Sequence, residues 1–302
     1  MKEKEFISII KNSLQSEYIG DDCAYLKDLN IVITQDSLVE DVHFKKEYCT
    51  PYQLGYKSVM VNLSDVAASG ATPKYITVSL SLPSNIDKNF ISKFYNGCKT
   101  ACADEVKIVG GDITGSDKIF ISVCAIGKVD NQNISSRANA QIGQKVVITG
   151  NSGSSAAGLR MLIESKNCTN KFVKSHLEPV AQIEFGKLMG EKIKCKYAAM
   201  DTSDGLMDAL STIAQESGVL LNIDFKKIPY DKDLEQYENW EDMVLYGGED
   251  YQIVATVPQD FEYGIEIGSV EKGSGIALTK GTEQIHLTKQ DIEQKIYNHF
   301  NN

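Results

Sequence analysis

The chain has 302 residues, with 31 basic against 41 acidic side chains and a net charge of −10. Polyanion binding needs a basic face, so nucleic acid is excluded as a main partner. With 42% apolar and 24% charged residues, the composition is that of a globular protein able to bury a core, and the length predicts two domains or one large one.

Residues 6–14 form a short amphipathic stretch, and no apolar run approaches the roughly 20 residues that span a bilayer. The expectation is a cytoplasmic protein with no membrane partner. The run Ile31-Val-Ile-Thr-Gln-Asp36 reads as a strand ending on a carboxylate. Pro51 opens a helix over 51–70, with Val59, Leu63, Val66 and Ala67 as its apolar stripe and Ser58, Asn62, Asp65 and Ser69 on a separate polar edge. A strand over 75–82 stops at Pro83, a helix follows over 87–103, and strands are predicted at 106–109 and 119–126. The segment 127–143 is polar and without period, so it reads as an interdomain connection. Domains are expected at 1–137 and 138–302. Beyond it come a strand at 146–149, a helix at 154–165, and a second helix with Pro179 at its first position. A strand then leads into Asp201-Thr-Ser-Asp204-Gly205, a helix to 217 and a strand at 220–225. The tail reads as a strand at 251–257, further strands with glycine turns, and a short helix near 289–298. The class is mixed α/β.

Seven cysteines, at 23, 49, 98, 102, 124, 168 and 195, contain no C-x-x-C pair, which argues against a disulfide framework or a zinc ribbon. Four histidines (43, 176, 286, 299) show no metal-binding or triad spacing. His43 alone is either a surface residue or a substrate contact. No Walker A sequence and no protein-kinase signature occurs. The loop Gly150-Asn-Ser-Gly153 after a strand either cradles an anion at a helix N-terminus or is a tight turn. Only Arg137 and Arg160 are arginines, so a polyphosphate has few guanidinium forks to meet.

Acids recur beside glycine or hydroxyl residues at the ends of apolar runs: Asp22, Asp36, Asp65, Asp112, Asp201, Asp204 and Asp250. Singly, each is a turn former or helix cap. As a set, they form a field of hard oxygen ligands suited to Mg²⁺ rather than zinc. Two like charges 4 Å apart repel by roughly 4 kcal/mol at an effective dielectric of about 20, so a phosphate approaches such a set only with divalent metal between.

The ordered blocks Gly20-Asp-Asp-Cys-Ala24, Thr34-Gln-Asp-Ser-Leu-Val-Glu-Asp-Val-His-Phe44, Val61-Asn-Leu-Ser-Asp-Val-Ala-Ala-Ser-Gly-Ala-Thr-Pro73, Gly110-Gly-Asp-Ile-Thr114, Asp201-Thr-Ser-Asp-Gly-Leu206 and Gly247-Gly-Glu-Asp-Tyr251 resemble the thiamine-monophosphate kinase family. That family sits in an ATP-binding superfamily with aminoimidazole ribonucleotide synthetase and selenophosphate synthetase. The resemblance implies a two-domain aminoimidazole ribonucleotide synthetase-like fold without a P-loop, with a sheet-rich N-terminal domain that pairs with its twin and an α/β C-terminal domain. It implies Mg²⁺-dependent transfer of phosphate from ATP to thiamine phosphate. By the motif match, Asp22, Thr34, Gln35, Asp36, Asp65, Asp112, Asp201 and Asp204 would be metal ligands, with Asp65, Asp112 and Asp204 at the catalytic centre. Gly111, Asp112, Arg137 and Ser203 would touch ATP, while His43, Glu249 and Tyr297 would face thiamine phosphate. Gln35 stands where the family carries a second hydroxyl residue, and Thr202 where it often carries an apolar one. Two other readings are carried forward. One is a superfamily enzyme with another acceptor, such as selenophosphate synthetase, although the reactive-cysteine segment expected there is lacking. The other is a non-catalytic acidic Ca²⁺- or Mg²⁺-binding protein, although no EF-hand loop occurs.

Overall fold

The apolar runs sort into two open sheets in a computed structural model that describes residues 3–165 and 169–296. The first half contributes α1 (Glu3–Leu14), β1 (Ala24–Leu26), β2 (Ile31–Val39), α2 (Pro51–Ser69), β3 (Thr72–Leu82), α3 (Lys88–Cys102), β4 (Lys107–Gly115) and β5 (Phe120–Lys128). Its strands lie in the order β1-β2-β5-β3-β4. β3 and β4 run parallel through the α3 crossover, whereas β5 pairs antiparallel with both β2 and β3. Residues 129–144 carry no strand or helix and lead to the second half.

That half contains β6 (Lys145–Ile148), α4 (Ser154–Glu164), α5 (Lys171–Leu177), α6 (Ile183–Lys192), β7 (Ala198–Asp201), α7 (Leu206–Ser217), β8 (Leu220–Asp224), α8 (Trp240–Tyr246), β9 (Ile253–Val257), β10 (Ile265–Glu271), β11 (Gly275–Lys280), β12 (Glu283–Leu287) and α9 (Lys289–Glu293). The sheet order is β12-β11-β8-β10-β6-β9-β7. Among the described residues, no helix is long and apolar enough to cross a membrane.

α2 joins the two halves. A Thr50–Gln53 capping box and Pro51 start it, and Gly70 ends it in the left-handed conformation at φ 86°. Most of the polar edge expected along this helix is buried: Ser58, Asn62 and Ser69 are covered like the apolar stripe, and Asp65 stays partly open. Helical period shows which residues share a face, but a second body closing over that face is a tertiary event. α2 packs against the first sheet on one side and α6 and β7 on the other. The buried polar groups are satisfied locally: Ser58 Oγ donates to Leu54 O at 2.7 Å and Asn62 Nδ2 to Ser58 O at 2.9 Å.

Two other expectations change. Pro179 starts no helix, because α5 ends at Leu177 and α6 begins at Ile183. Gly110-Gly-Asp112 is no turn. It lies inside β4, an edge strand whose nine residues are all exposed and whose register against β3 slips by one residue just before Gly110.

Candidate active site

Alternation along β2 decides which acids meet. Thr34 and Asp36 share the face turned toward α2, with buried Val32 and Leu38, while Gln35 points the opposite way. On the α2 side, Thr34 Oγ1 donates to Asp65 Oδ2 at 2.7 Å, and the Asp36 N–H donates to Asn62 Oδ1 at 2.9 Å. Ser64, next to Asp65, donates to Asp201 Oδ2 at 2.6 Å, tying α2 to the end of β7. One carboxylate oxygen each of Asp22, Asp65 and Asp201 then falls within 4.8 Å of the other two.

Burial pushes Asp65 well above the usual carboxylate range, and the nearby Asp36, Asp201 and Asp22 add to the rise. Burial likewise raises Asp22 to about 6, against the pull of Arg137. It raises Asp201 too, opposed by hydrogen bonds from Ser64 and Ser203. Buried carboxylates this close, with one guanidinium among them, form an environment that favours a cation. The donor set is entirely hard oxygen, which fits Mg²⁺.

Arg137 lies on this cluster. Its guanidinium donates to Asp22 Oδ1 and to Gly20 O, and its backbone N–H donates to Asp21 Oδ1 at 2.7 Å. Its Nε is buried without a hydrogen-bond partner. Asp204 is exposed three residues beyond Asp201, in the turn before α7, and Ser203 donates its backbone N–H to Asp201 Oδ1 at 3.3 Å.

Gln35 and Asp112 do not join the cluster. They lie on the opposite, polar face of the first sheet, where Gln35, Thr77, Ser79, Gly111, Asp112, Ser122 and Cys124 line an open cavity of about 320 Å³. Gln35 Nε2 donates to Ser122 Oγ at 3.0 Å, so its amide is oriented along this face. Tyr297 lies outside the described residues.

A second charged group adjoins the cluster. Glu249 has one oxygen 3.0 Å from Lys57 Nζ and the other 3.3 Å from His176 Nδ1. Burial alone would raise its pKa, but Lys57, His176 and His43 together hold it below the usual range. His43 accepts the Val39 N–H on Nδ1 at 3.0 Å, which leaves Nε2 as its proton-bearing nitrogen when neutral.

The anion at the Gly150 loop turns out to be the chain's own. Asp250 accepts from Gly153 N at 2.5 Å and Ser155 N at 2.7 Å, capping α4 from 97 residues away. Burial raises its pKa to about 7 despite those bonds. Asp250→Ala leaves two helix N–H groups without a partner, and thermal or urea unfolding is expected to report a loss of about 1–3 kcal/mol. For Asp250 the helix-cap reading holds, although the helix it caps is remote in sequence, whereas Lys57 and His176 have no role assigned from the sequence. The signal for Lys57 was present: within 51–70 only Lys57 and Asp65 are charged, as in a helix buried all round.

The family model described as AIR synthase related protein, N-terminal domain, matches residues 20–129, and its C-terminal counterpart matches residues 141–279. Two sheets joined through a shared helix, with acids from both halves meeting between them, make this an AIR synthase-related protein. The chain is 36% identical to the thiamine-monophosphate kinase of Aquifex aeolicus over 97% of this chain and 96% of that one. It is 34% identical to the Bacillus subtilis enzyme of the same name over 93% of each. The solved structure of AaThiL complexed with AMPPCP and TMP is similar with a TM-score of 0.88 and 34% identity, covering 99% of this chain and 97% of that chain. The chain belongs to the thiamine-monophosphate kinase family.

Proposed function

We propose that this chain transfers the γ-phosphoryl group of ATP to the phosphate of thiamine phosphate, yielding thiamine diphosphate and ADP. The observation that carries the reading is the convergence of Asp22, Asp65 and Asp201 from three separate blocks, next to the Glu249 group. A phosphate monoester has a second pKa of about 6, so at neutral pH the acceptor is largely dianionic and needs no general base. The work left to the protein is positioning and charge neutralisation. Asp22, Asp65 and Asp201 would hold Mg²⁺, with Thr34, Asp36 and Asp204 beside them. Bound there, the ion supplies the positive charge that lets phosphate oxygens approach carboxylates. Thr34 and Ser64 orient their acids by hydrogen bonds, and Arg137 and Ser203 border the nucleotide side. Transfer is direct and in line, without a phosphoenzyme; net retention at phosphorus would contradict it.

His43 and Glu249 face the thiamine phosphate in this reading, with Tyr297 as a further contact by motif. Lys57 and His176 occupy one direction at each Glu249 oxygen, and each oxygen retains another lone pair for a cation such as thiazolium. Glu249→Gln is expected to raise the KM for thiamine phosphate about tenfold, the scale of one charge-assisted contact, with the KM for ATP unchanged.

We further infer a homodimer. Gln35, Gly111 and Asp112 border an open sheet face, and the β4 edge beside it exposes Ile108, Val109 and Ile113, a template for a second copy. Sedimentation of the purified chain tests this, and a monomer at micromolar concentration would refute it. The activity is tested by coupled ADP release with Mg²⁺-ATP and thiamine phosphate, thiamine or water as acceptor. Turnover is expected with thiamine phosphate alone; equal ADP release with all three would overturn the reading.

A further inference from the structure

Lys57 and His176 touch neither the acidic cluster nor solvent. Each is 1% exposed, yet each carries a polar atom to the same carboxylate. Lys57 comes from α2 and reaches Glu249 Oε1 at 3.0 Å; His176 comes from α5 and reaches Oε2 at 3.3 Å, with Ser155 Oγ also 2.9 Å from its Nδ1. Glu249 is thus gripped by helices from both halves of the molecule, while 25% of its side chain stays open. The backbone is constrained as well. Glu249 sits at φ 64° and Tyr251 at φ 50°, left-handed conformations that non-glycine residues adopt at a cost, and the Glu249 N–H donates to Ser203 O at 2.7 Å.

Stability alone does not call for this arrangement. A buried ion pair is commonly matched or bettered by apolar residues of the same volume, so its return lies in orientation. The ligand chemistry gives that orientation a use. Thiamine phosphate carries a thiazolium cation and a phosphate dianion. A bare carboxylate would attract the first and repel the second. A carboxylate paired with an ammonium is neutral as a unit while still presenting oxygen lone pairs locally. Burial, and then the Lys57 charge, keep His176 neutral with its pKa near 3, so the ring sets a polar nitrogen 3.3 Å from the carboxylate and adds no charge.

We propose that Lys57 and His176 are positioning residues for thiamine phosphate, holding the Glu249 carboxylate oriented toward the substrate's cationic ring without touching the substrate themselves. The inference rests on the assignment of Glu249 to the substrate made above.

Steady-state kinetics of the full chain with saturating Mg²⁺-ATP and varied thiamine phosphate test it, using Lys57→Met, Glu249→Gln, the double variant, His176→Leu and His176→Asn. Lys57→Met is expected to raise the KM for thiamine phosphate about tenfold with the KM for ATP unchanged, because an oriented charged contact is worth about that factor. The double variant is expected to be no worse than Glu249→Gln alone, since both changes act through one carboxylate. His176→Leu should raise the same KM, and His176→Asn, which keeps an N–H donor near Nδ1, should recover most of the loss. If the effects of Lys57→Met and Glu249→Gln multiply, or the KM for ATP rises in parallel, the positioning role is wrong while the substrate role of Glu249 stands. If Glu249→Gln leaves the KM for thiamine phosphate unchanged, the substrate role fails and the inference goes with it. Should Lys57→Met not fold, the histidine pair decides: His176→Leu behaving as the parent, or His176→Asn as impaired as His176→Leu, overturns the proposal.

Discussion

Asp65→Asn is expected to cut turnover by roughly a hundredfold to a thousandfold, on the scale of losing one preorganised electrostatic group, while raising the melting temperature of the metal-free chain. The two effects have one cause. Asp65 is half-buried with ligand oxygens of Asp22 and Asp201 within 4.8 Å, and Asp36 adds to the charge that opposes its ionisation. Asparagine keeps the volume and can still accept the Thr34 hydroxyl, so the substitution removes charge and little else. Without metal, that charge is a liability, and its loss stabilises the fold. With Mg²⁺, the charge is what holds the ion, and ligand binding to the folded state alone raises stability by mass action. The parent chain should therefore melt higher in millimolar Mg²⁺ than in chelator, and Asp65→Asn should lose most of that increment. Scanning fluorimetry with and without Mg²⁺, beside the ADP-release assay, reads both. A variant that melts lower in chelator yet keeps the full Mg²⁺ increment would reduce Asp65 to a structural acid.

The family was legible because its residues are local blocks in a fixed order, and blocks of that kind survive without knowledge of the fold. Local periodicity likewise located α2, α3 and α7 to within a residue or two, since caps such as Thr50, Asp87 and Gly218 are adjacent in sequence to what they cap. What escaped was long-range. In the sequence Asp250 is one acid in a glycine motif; in the fold it closes the N-terminus of α4 from across the second half. Gln35 and Asp36 are neighbours in one ligand motif, but strand alternation turns them to opposite faces of the first sheet, and Asp112 lies with Gln35 rather than with Asp65. Lys57 is the instructive omission. A mid-helix lysine usually means a wet face, and only the near absence of other charge along 51–70 marks this one as covered.

Because α2 carries Lys57, Asn62, Ser64 and Asp65 together, whatever sets its position sets the site, and the crossing with α3 sets it tightly. A Cβ placed on Gly97 would stand 2.0 Å from Tyr52 O and 2.8 Å from Tyr56 N; one placed on Gly55 would stand 2.0 Å from Phe94 O. These are backbone atoms on both sides, so no rotamer change relieves the clash, and the helices must separate. Gly97→Val is accordingly expected to cost about 3 kcal/mol or more, the upper range for overpacking, and hence to lower the melting temperature by roughly 5 °C or more. Any α2 displacement that accommodates the side chain would also stretch the 2.6 Å bond from Ser64 to Asp201, so turnover per folded molecule should fall together with stability. Gly115→Val is the control, because a Cβ there meets nothing within 4 Å and its melting temperature should match the parent. If Gly97→Val melts with the parent, the two helices have slack that their backbone contact denies, and the fixed spacing between Asp65 and Asp201 must come from elsewhere.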